Sequence, residues 1–157
     1  MIRRLFVSSL LLLGTACGSG DLSGPGTASG LVLSAAVSTP SFEAGQADTI
    51  TITLTNTTPN VITLHFGDGC QILPYVADAN GDVVLPSGGG WGCTAALWQL
   101  SLAPHEVQTA RFVWTGSTTF SSEMPLRTLP RGLYHVFATL HASEAHLTTE
   151  RIAVQLQ

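Results

Sequence analysis

The chain has 157 residues, of which 45% are hydrophobic and only 10% are charged, and its formal net charge at pH 7 is −4. Its positive side chains are six arginines set against ten acidic residues, with no lysine. It therefore lacks the basic surface that nucleic-acid binding requires, and no nucleic-acid partner is expected.

Residues 1–16 have the pattern of an export signal. Arg3 and Arg4 form a short positive region, residues 5–13 are an apolar stretch too short for a stable membrane span, and small residues follow at 14–16. This order resembles a bacterial lipoprotein signal, which predicts cleavage before Cys17 and acylation of that cysteine. Leu13 lies four residues before the cysteine instead of the usual three, so an ordinary secretory signal is the alternative. Both interpretations predict export.

The remaining chain divides into a tether and one folded domain. Residues 17–30 are rich in Gly, Ser, Thr and Pro, which is typical of a flexible linker, and residues 31–157 are long enough to bury a core. Two or three acyl chains on Cys17 would hold the domain at a membrane, since each buried methylene contributes about 0.8 kcal/mol. We therefore expect a domain in the periplasm or at the cell surface of the bacterial envelope. Its only membrane contact would be the lipid, in the outer membrane if the bacterium is diderm.

Two further cysteines remain once Cys17 is assigned to lipid. In an oxidising compartment an even pair predicts a disulfide, here between Cys70 and Cys93. A loop of this length would stabilise the fold by about 3 kcal/mol. A metal-binding cysteine pair is the alternative, but no second pair lies nearby in the sequence.

Alternation of apolar and polar residues with a period of two runs through the domain and predicts strands. It is clearest at residues 49–55, where three aliphatic side chains alternate with threonines. No window of a dozen residues has a convincing helical period. Seven to nine short strands separated by turns predict an all-β, antiparallel, immunoglobulin-like sandwich.

The aromatic residues divide by position. Trp98 and Trp114 occupy inward positions of their strands, which predicts core packing. Tyr134 is either the anchor of a tyrosine corner or an ordinary core aromatic. Trp91 lies in a glycine-rich loop beside the predicted disulfide, where it either contacts a partner or packs over the sulfurs.

Several motifs in order resemble the BsuPI family of intracellular proteinase inhibitors over roughly residues 42–140. They are FEAG at 42–45, ITITLTN at 50–56, YVADANGDVV at 75–84, LAPHE at 102–106, FVW at 112–114 and PRGLYHV at 130–136. The family's turn usually reads Pro-Gly-Glu, and His105 replaces the glycine here. The resemblance implies an immunoglobulin-like inhibitor domain whose partner is a protease.

Other constellations have simpler interpretations. Asp78, Asn80 and Asp82 could begin a calcium loop, but Gly89 stands where the distal acid is needed, so a hairpin turn is predicted. His65, His135 and His141 are expected to be solvated surface residues, with the last two about 20 Å apart on one strand. No nucleophile elbow or acid/base pair is visible, so neither an enzyme nor a cofactor or metal is expected.

The longest segment without a strand pattern is residues 115–131. Long loops in compact domains are usually functional or mobile, and Met124, Leu126 and Arg127 are, with Trp91, the candidate partner contacts.

The leading hypothesis is an envelope-tethered, non-enzymatic binding module that inhibits a serine protease or binds another envelope protein. The alternatives are an accessory domain without inhibitory activity and, more remotely, a metal- or small-ligand-binding protein.

Overall fold

The computed structural model describes residues 26–28, 30–119 and 127–157, and these contain twelve β-strands. No helix in these ranges is long and apolar enough to cross a membrane. The strands are β1 (Gly26–Ala28), β2 (Leu31–Val37), β3 (Ser41–Phe42), β4 (Asp48–Asn56), β5 (Ile62–Phe66), β6 (Ile72–Asp78), β7 (Val83–Leu85), β8 (Trp98–Leu102), β9 (Val107–Trp114), β10 (Gly132–His141), β11 (His146–Thr148) and β12 (Ile152–Leu156).

The strands form two large sheets and one small one. The first sheet has the order β1-β2-β4-β9, and the second has the order β3-β12-β10-β6-β7, with β11 also paired to β10. β5 and β8 form a separate two-stranded sheet. All pairs are antiparallel except β3 with β12. The predicted all-β sandwich is therefore confirmed.

The count of twelve exceeds the seven to nine strands expected because three very short strands were not predicted, whereas the equally short Val83–Leu85 follows the predicted turn. Gly26–Ala28, Ser41–Phe42 and His146–Thr148 have two or three residues each, too few to display an alternating pattern. Gly26–Ala28 lie in the range expected to be tether, yet they pair with Leu31–Leu33. The first described strand thus begins five residues before the predicted boundary at Leu31.

The core follows the alternation read from the sequence. Ile50, Ile52 and Leu54 of β4 are completely buried, while the threonines between them are half-buried. The inward positions of β10, which include Val136 and Leu140, are likewise buried. Burying each such side chain contributes about 1.5–3 kcal/mol, so this double layer is the main source of stability.

Trp98 is a correction to the sequence analysis, because its side chain is 52% exposed. It lies on the same face of β8 as Leu102, which is fully buried, and Leu100, which is half-buried. Alternation determines the face on which a side chain lies, but not how far the opposing layer extends over it. Trp114, by contrast, is completely buried as predicted.

Trp114 and Tyr134 close the end of the sandwich at which β10 begins. The Tyr134 hydroxyl donates to the carbonyl of Pro130 at 2.8 Å, which is the bond of a tyrosine corner. The Trp114 indole donates to the Ser117 carbonyl at 2.9 Å, and its ring meets those of Phe42 and Tyr134 edge to face. Burial, and to a lesser extent the charge of Asp78, raises the pKa of the Tyr134 phenol.

The predicted hairpin at residues 78–82 is present between β6 and β7. The Asp78 carboxylate accepts the backbone N–H groups of Asn80 at 2.9 Å and Asp82 at 3.0 Å. Desolvation raises the pKa of Asp78, but these two bonds and the other local hydrogen bonds outweigh it, so the pKa is lowered. The Asp78 carboxylate therefore stabilises the hairpin turn.

Asn56 is a completely buried polar residue at the end of β4. Its side-chain amide N–H groups lie within hydrogen-bonding distance of the carbonyls of Asn60, Leu102 and Ala103, at 2.7, 3.2 and 2.9 Å. Its side-chain oxygen accepts the N–H and the hydroxyl of Thr58 at 2.9 and 2.8 Å. One side chain thus joins the turn before β5 to the turn after β8.

The turn after β8 places His105 in the left-handed region, with a φ of 59°. The Glu106 N–H donates to the Ala103 carbonyl at 3.0 Å, and the Glu106 carboxylate accepts the Ala103 N–H at 2.7 Å. A side chain with a Cβ is unfavourable in this region by about 1–2 kcal/mol. The position is therefore one that favours glycine.

We predict that His105→Gly raises the free energy of unfolding by about 0.5–1 kcal/mol, because the relief of the left-handed strain exceeds the extra entropy of glycine in the unfolded chain. Urea unfolding of the two proteins measures the difference. His105→Ala is the matched control, since it removes the imidazole and keeps the Cβ. An equal gain in both variants would show that the backbone conformation is not the cause.

Candidate functional site

The disulfide between Cys70 and Cys93 organises one face of the second sheet, as the cysteine count predicted. It joins the residues before β6 to the long loop between β7 and β8, with the two Cα atoms 5.4 Å apart. Beside it, the Gly69 N–H donates to the Thr94 carbonyl at 2.9 Å. A Cβ at Gly69 would lie 2.3 Å from the Thr94 hydroxyl oxygen, so glycine permits this close approach.

Trp91 lies within the loop that the disulfide closes, and its side chain is half-buried. Its indole donates to the Pro74 carbonyl of β6 at 3.2 Å, and its ring meets Tyr75 edge to face at 6.3 Å. Tyr75 stacks on Phe137 at 5.3 Å, and the Arg151 guanidinium lies 5.2 Å from the centre of the Phe137 ring. We call these four residues the aromatic ladder. They hold Trp91 in a defined orientation on the outer face of the sheet.

A cavity of about 190 Å³ opens between the disulfide and the aromatic ladder. Its volume is below the range of about 300–1,000 Å³ typical of small-molecule pockets, and it suits one side chain of a larger partner. Aromatic and aliphatic groups form its walls, together with one carboxylate and one imidazole. The lining residues are Gly67, Asp68, Cys70, Leu73, Tyr75, Trp91, Cys93 and His141.

One carboxylate oxygen of Asp68 and the two disulfide sulfurs lie within 4.8 Å of one another. The sulfurs are bonded to each other, so neither is available as the thiolate that would bind a metal. The Asp68 carboxylate accepts the Cys70 N–H at 2.8 Å. While the disulfide is intact, the Asp68 carboxylate therefore stabilises the backbone beside Cys70, and the two sulfurs are not metal ligands.

The histidines differ in their surroundings. His65 is exposed, as predicted, and its Nδ1 lies 2.5 Å from a carboxylate oxygen of Glu144, whose second oxygen accepts the His65 N–H at 2.8 Å. The His65 N–H, followed by the imidazole, lowers the pKa of Glu144. His141 is exposed and lies beside His146, with 3.3 Å between their Nδ1 atoms. Strand alternation alone does not predict that pair, although a short hairpin across HASEAH brings the two histidines together.

The predicted partner contacts fall at two places. Cys70, and with it Trp91, lies near the end of β10 because Ile72 pairs with Leu140. Arg127 is exposed and precedes the start of β10, so it lies at the opposite end of the sheet. Met124 and Leu126 lie outside the described residues, as does Cys17.

The residues on either side of 120–126 are held together as an antiparallel pair. Ser117 bridges to Thr128, the Thr118 N–H donates to the Arg127 carbonyl at 3.1 Å, and the Leu129 N–H donates to the Gly116 carbonyl at 2.8 Å. Both ends of the candidate contact segment are therefore fixed to the sandwich.

The family of the protein follows from its sequence and agrees with this sandwich. The BsuPI family model, described as intracellular proteinase inhibitor, matches residues 36–145. This span exceeds half of the chain, and the chain belongs to the BsuPI family. No curated protein matches the chain.

Several solved structures contain a similar arrangement of strands. A β-glucosidase from Listeria innocua in complex with gluconolactone is 16% identical with a TM-score of 0.47, and the match covers 80% of this chain. A CARDB domain from Pyrococcus furiosus in complex with di-metal ions is 14% identical with a TM-score of 0.48, and 88% of this chain and 95% of that one are covered. The chain spans only 16% of the length of the glucosidase.

We predict that the double variant Cys70→Ser, Cys93→Ser loses about 3 kcal/mol of unfolding free energy, because the disulfide restricts the unfolded chain across a separation of 23 residues. Guanidinium unfolding measures the loss. A reductant should bring the wild-type protein to the level of the variant and leave the variant unchanged. A variant as stable as the oxidised wild type would refute a stabilising role.

Proposed function

We propose that this protein is an exported, lipid-anchored member of the BsuPI family that binds and inhibits a serine protease in the bacterial cell envelope. Membership of a proteinase inhibitor family supports the inhibitory role. The disulfide supports export, because disulfides persist mainly in oxidising compartments and are rare in the cytosol. The signal pattern before Cys17 supports the lipid anchor.

The observation that carries the binding role is the fixed orientation of Trp91. A hydrogen bond to Pro74 and the ring of Tyr75 hold the indole in place, and the disulfide closes the loop that bears it. Tryptophan is enriched among residues that dominate binding energy, and a preorganised loop loses little entropy when a partner binds. We therefore propose the Trp91 face as the main contact, with the adjacent cavity accepting a side chain of the protease.

The segment containing Met124, Leu126 and Arg127 is a second proposed contact. Its support is the pairing of Ser117 with Thr128, which anchors both ends of residues 120–126. A loop held at its base suits substrate-like binding to a protease cleft. Because Arg127 lies at the other end of the sheet from Trp91, the two contacts are separable by mutation.

We predict that the full chain, purified in detergent, inhibits at least one member of a panel of serine proteases saturably and without being cleaved. Residual protease activity and intact mass of the inhibitor measure this. Trp91→Ala should weaken inhibition by roughly thirtyfold, the effect of losing about 2 kcal/mol at an interface. Trp98→Ala is the matched control, because that tryptophan is exposed on a different sheet.

Arg127→Ala, compared with Arg111→Ala on β9, tests the second contact. If Arg127→Ala weakens inhibition and Trp91→Ala does not, the main contact is the segment that contains Arg127. Full protease activity at a large molar excess of the chain would contradict inhibition and favour an accessory envelope domain.

We predict that the chain incorporates labelled palmitate in a diderm bacterial host and that Cys17→Ser abolishes the label, because this cysteine would carry the acyl groups. The matched control is the variant lacking Cys70 and Cys93, which should remain labelled. An unlabelled wild-type chain that is still processed would identify an ordinary secretory signal.

A further inference from the structure

His141 and His146 face each other across a β-hairpin and form what we call the histidine pair. His141 is the last residue of β10 and His146 the first of β11, and the two are direct partners in the antiparallel register. The Ala142 N–H donates to the Ala145 carbonyl at 2.9 Å, and the reverse bond measures 3.3 Å. The tight hairpin therefore places both imidazoles on one side of the strands.

The spacing of the two imidazoles matches that of two ligands on one metal ion. Their Nδ1 atoms are 3.3 Å apart, and the rings are tilted by 60° with their centres 5.5 Å apart. Zinc binds imidazole nitrogens at about 2.0–2.1 Å in tetrahedral geometry, which separates two ligand nitrogens by about 3.3–3.4 Å. The pair thus has the nitrogen separation of two ligands on one zinc ion.

The hairpin that carries the pair is fixed to the rest of the fold. The Ser143 N–H donates to the His65 carbonyl at 2.8 Å, and the Glu144 carboxylate accepts the His65 N–H at 2.8 Å. These bonds attach the turn to β5, which lies in another sheet. Preorganised ligands lose little freedom when a metal binds, and this favours affinity.

Accessibility and charge also favour a cation at this place. Both histidines are exposed, so the remaining coordination positions are open to water. The chain has a net charge of −4, which favours cations over anions near the protein as a whole. Imidazole nitrogen is a preferred ligand of zinc, copper and nickel, whereas calcium and magnesium prefer oxygen.

We infer that the histidine pair is a binding site for one divalent transition-metal ion, namely zinc or copper. His141 and His146 contribute one Nδ1 atom each, and water completes the coordination. The site lies beside the disulfide, since His141 also lines the cavity next to Trp91. It therefore adjoins the proposed protease contact, but zinc binding itself requires no protease and is measured without one.

The test is calorimetric titration of ZnCl2 into the full chain, purified without a polyhistidine tag and compared with His141→Ala, His146→Ala and the double variant. We expect one ion per chain, at least roughly tenfold weaker binding in each single variant, and no binding at this stoichiometry in the double variant. His105→Ala, which removes another exposed histidine, is the matched control and should bind as the wild type does. Urea unfolding without metal checks that every variant is folded.

Titration with Co²⁺ reports binding independently, because replacing water by imidazole nitrogen shifts the visible absorption of cobalt. The wild type and His105→Ala should show this shift, and the double variant should not. Three outcomes overturn the inference: no binding to the wild type at millimolar zinc, undiminished binding in the double variant, or loss confined to only one of the two histidines.

Discussion

The buried side chain of Asn56 is the interaction on which the arrangement of the sheets depends. It bonds to the turn before β5 and to the turn after β8, where the chain passes between the first sheet and the small one. Its backbone N–H also donates to the Glu106 carbonyl at 3.0 Å. Each buried polar group left without a partner would cost about 1–3 kcal/mol, so this side chain holds both crossings in position, while the backbone bond ties the end of β4 to the turn before β9.

A second constraint, the pairing of β6 with β10, sets the geometry of the proposed functional face. Because Ile72 lies opposite Leu140, Cys70 comes close to His141, and the disulfide, the Trp91 cavity and the histidine pair share one end of the sheet. The sandwich supplies a rigid base, and the function that we propose resides in loops and side chains attached to it. This division is common, because binding residues concentrate on loops held by a scaffold.

Much of the fold could be predicted, because alternation over five or more residues reflects the pleat of a strand and does not depend on distant residues. The eight strands of five or more residues, the Asn-Gly hairpin that leads into Val83–Leu85, and the disulfide were all predicted. The three short strands gave no periodic signal, and the exposure of Trp98 depends on how far an opposing layer extends. Tyr134 was left open between two roles, and only the position of the Pro130 carbonyl identifies the corner.

The amino-acid order was enough to predict the class of fold, the cysteine pairing and the family, and it is the sole basis for the predicted anchor at Cys17. These properties reside in local pattern, in the number of cysteines and in motif order. The tertiary structure alone decided which groups meet across strands. The 3.3 Å approach of His141 to His146 follows from register, and the register of β6 with β10 places Tyr75 beside Phe137, under Trp91. Register is a property of strand pairs, and a shift of one residue would move these side chains to opposite faces.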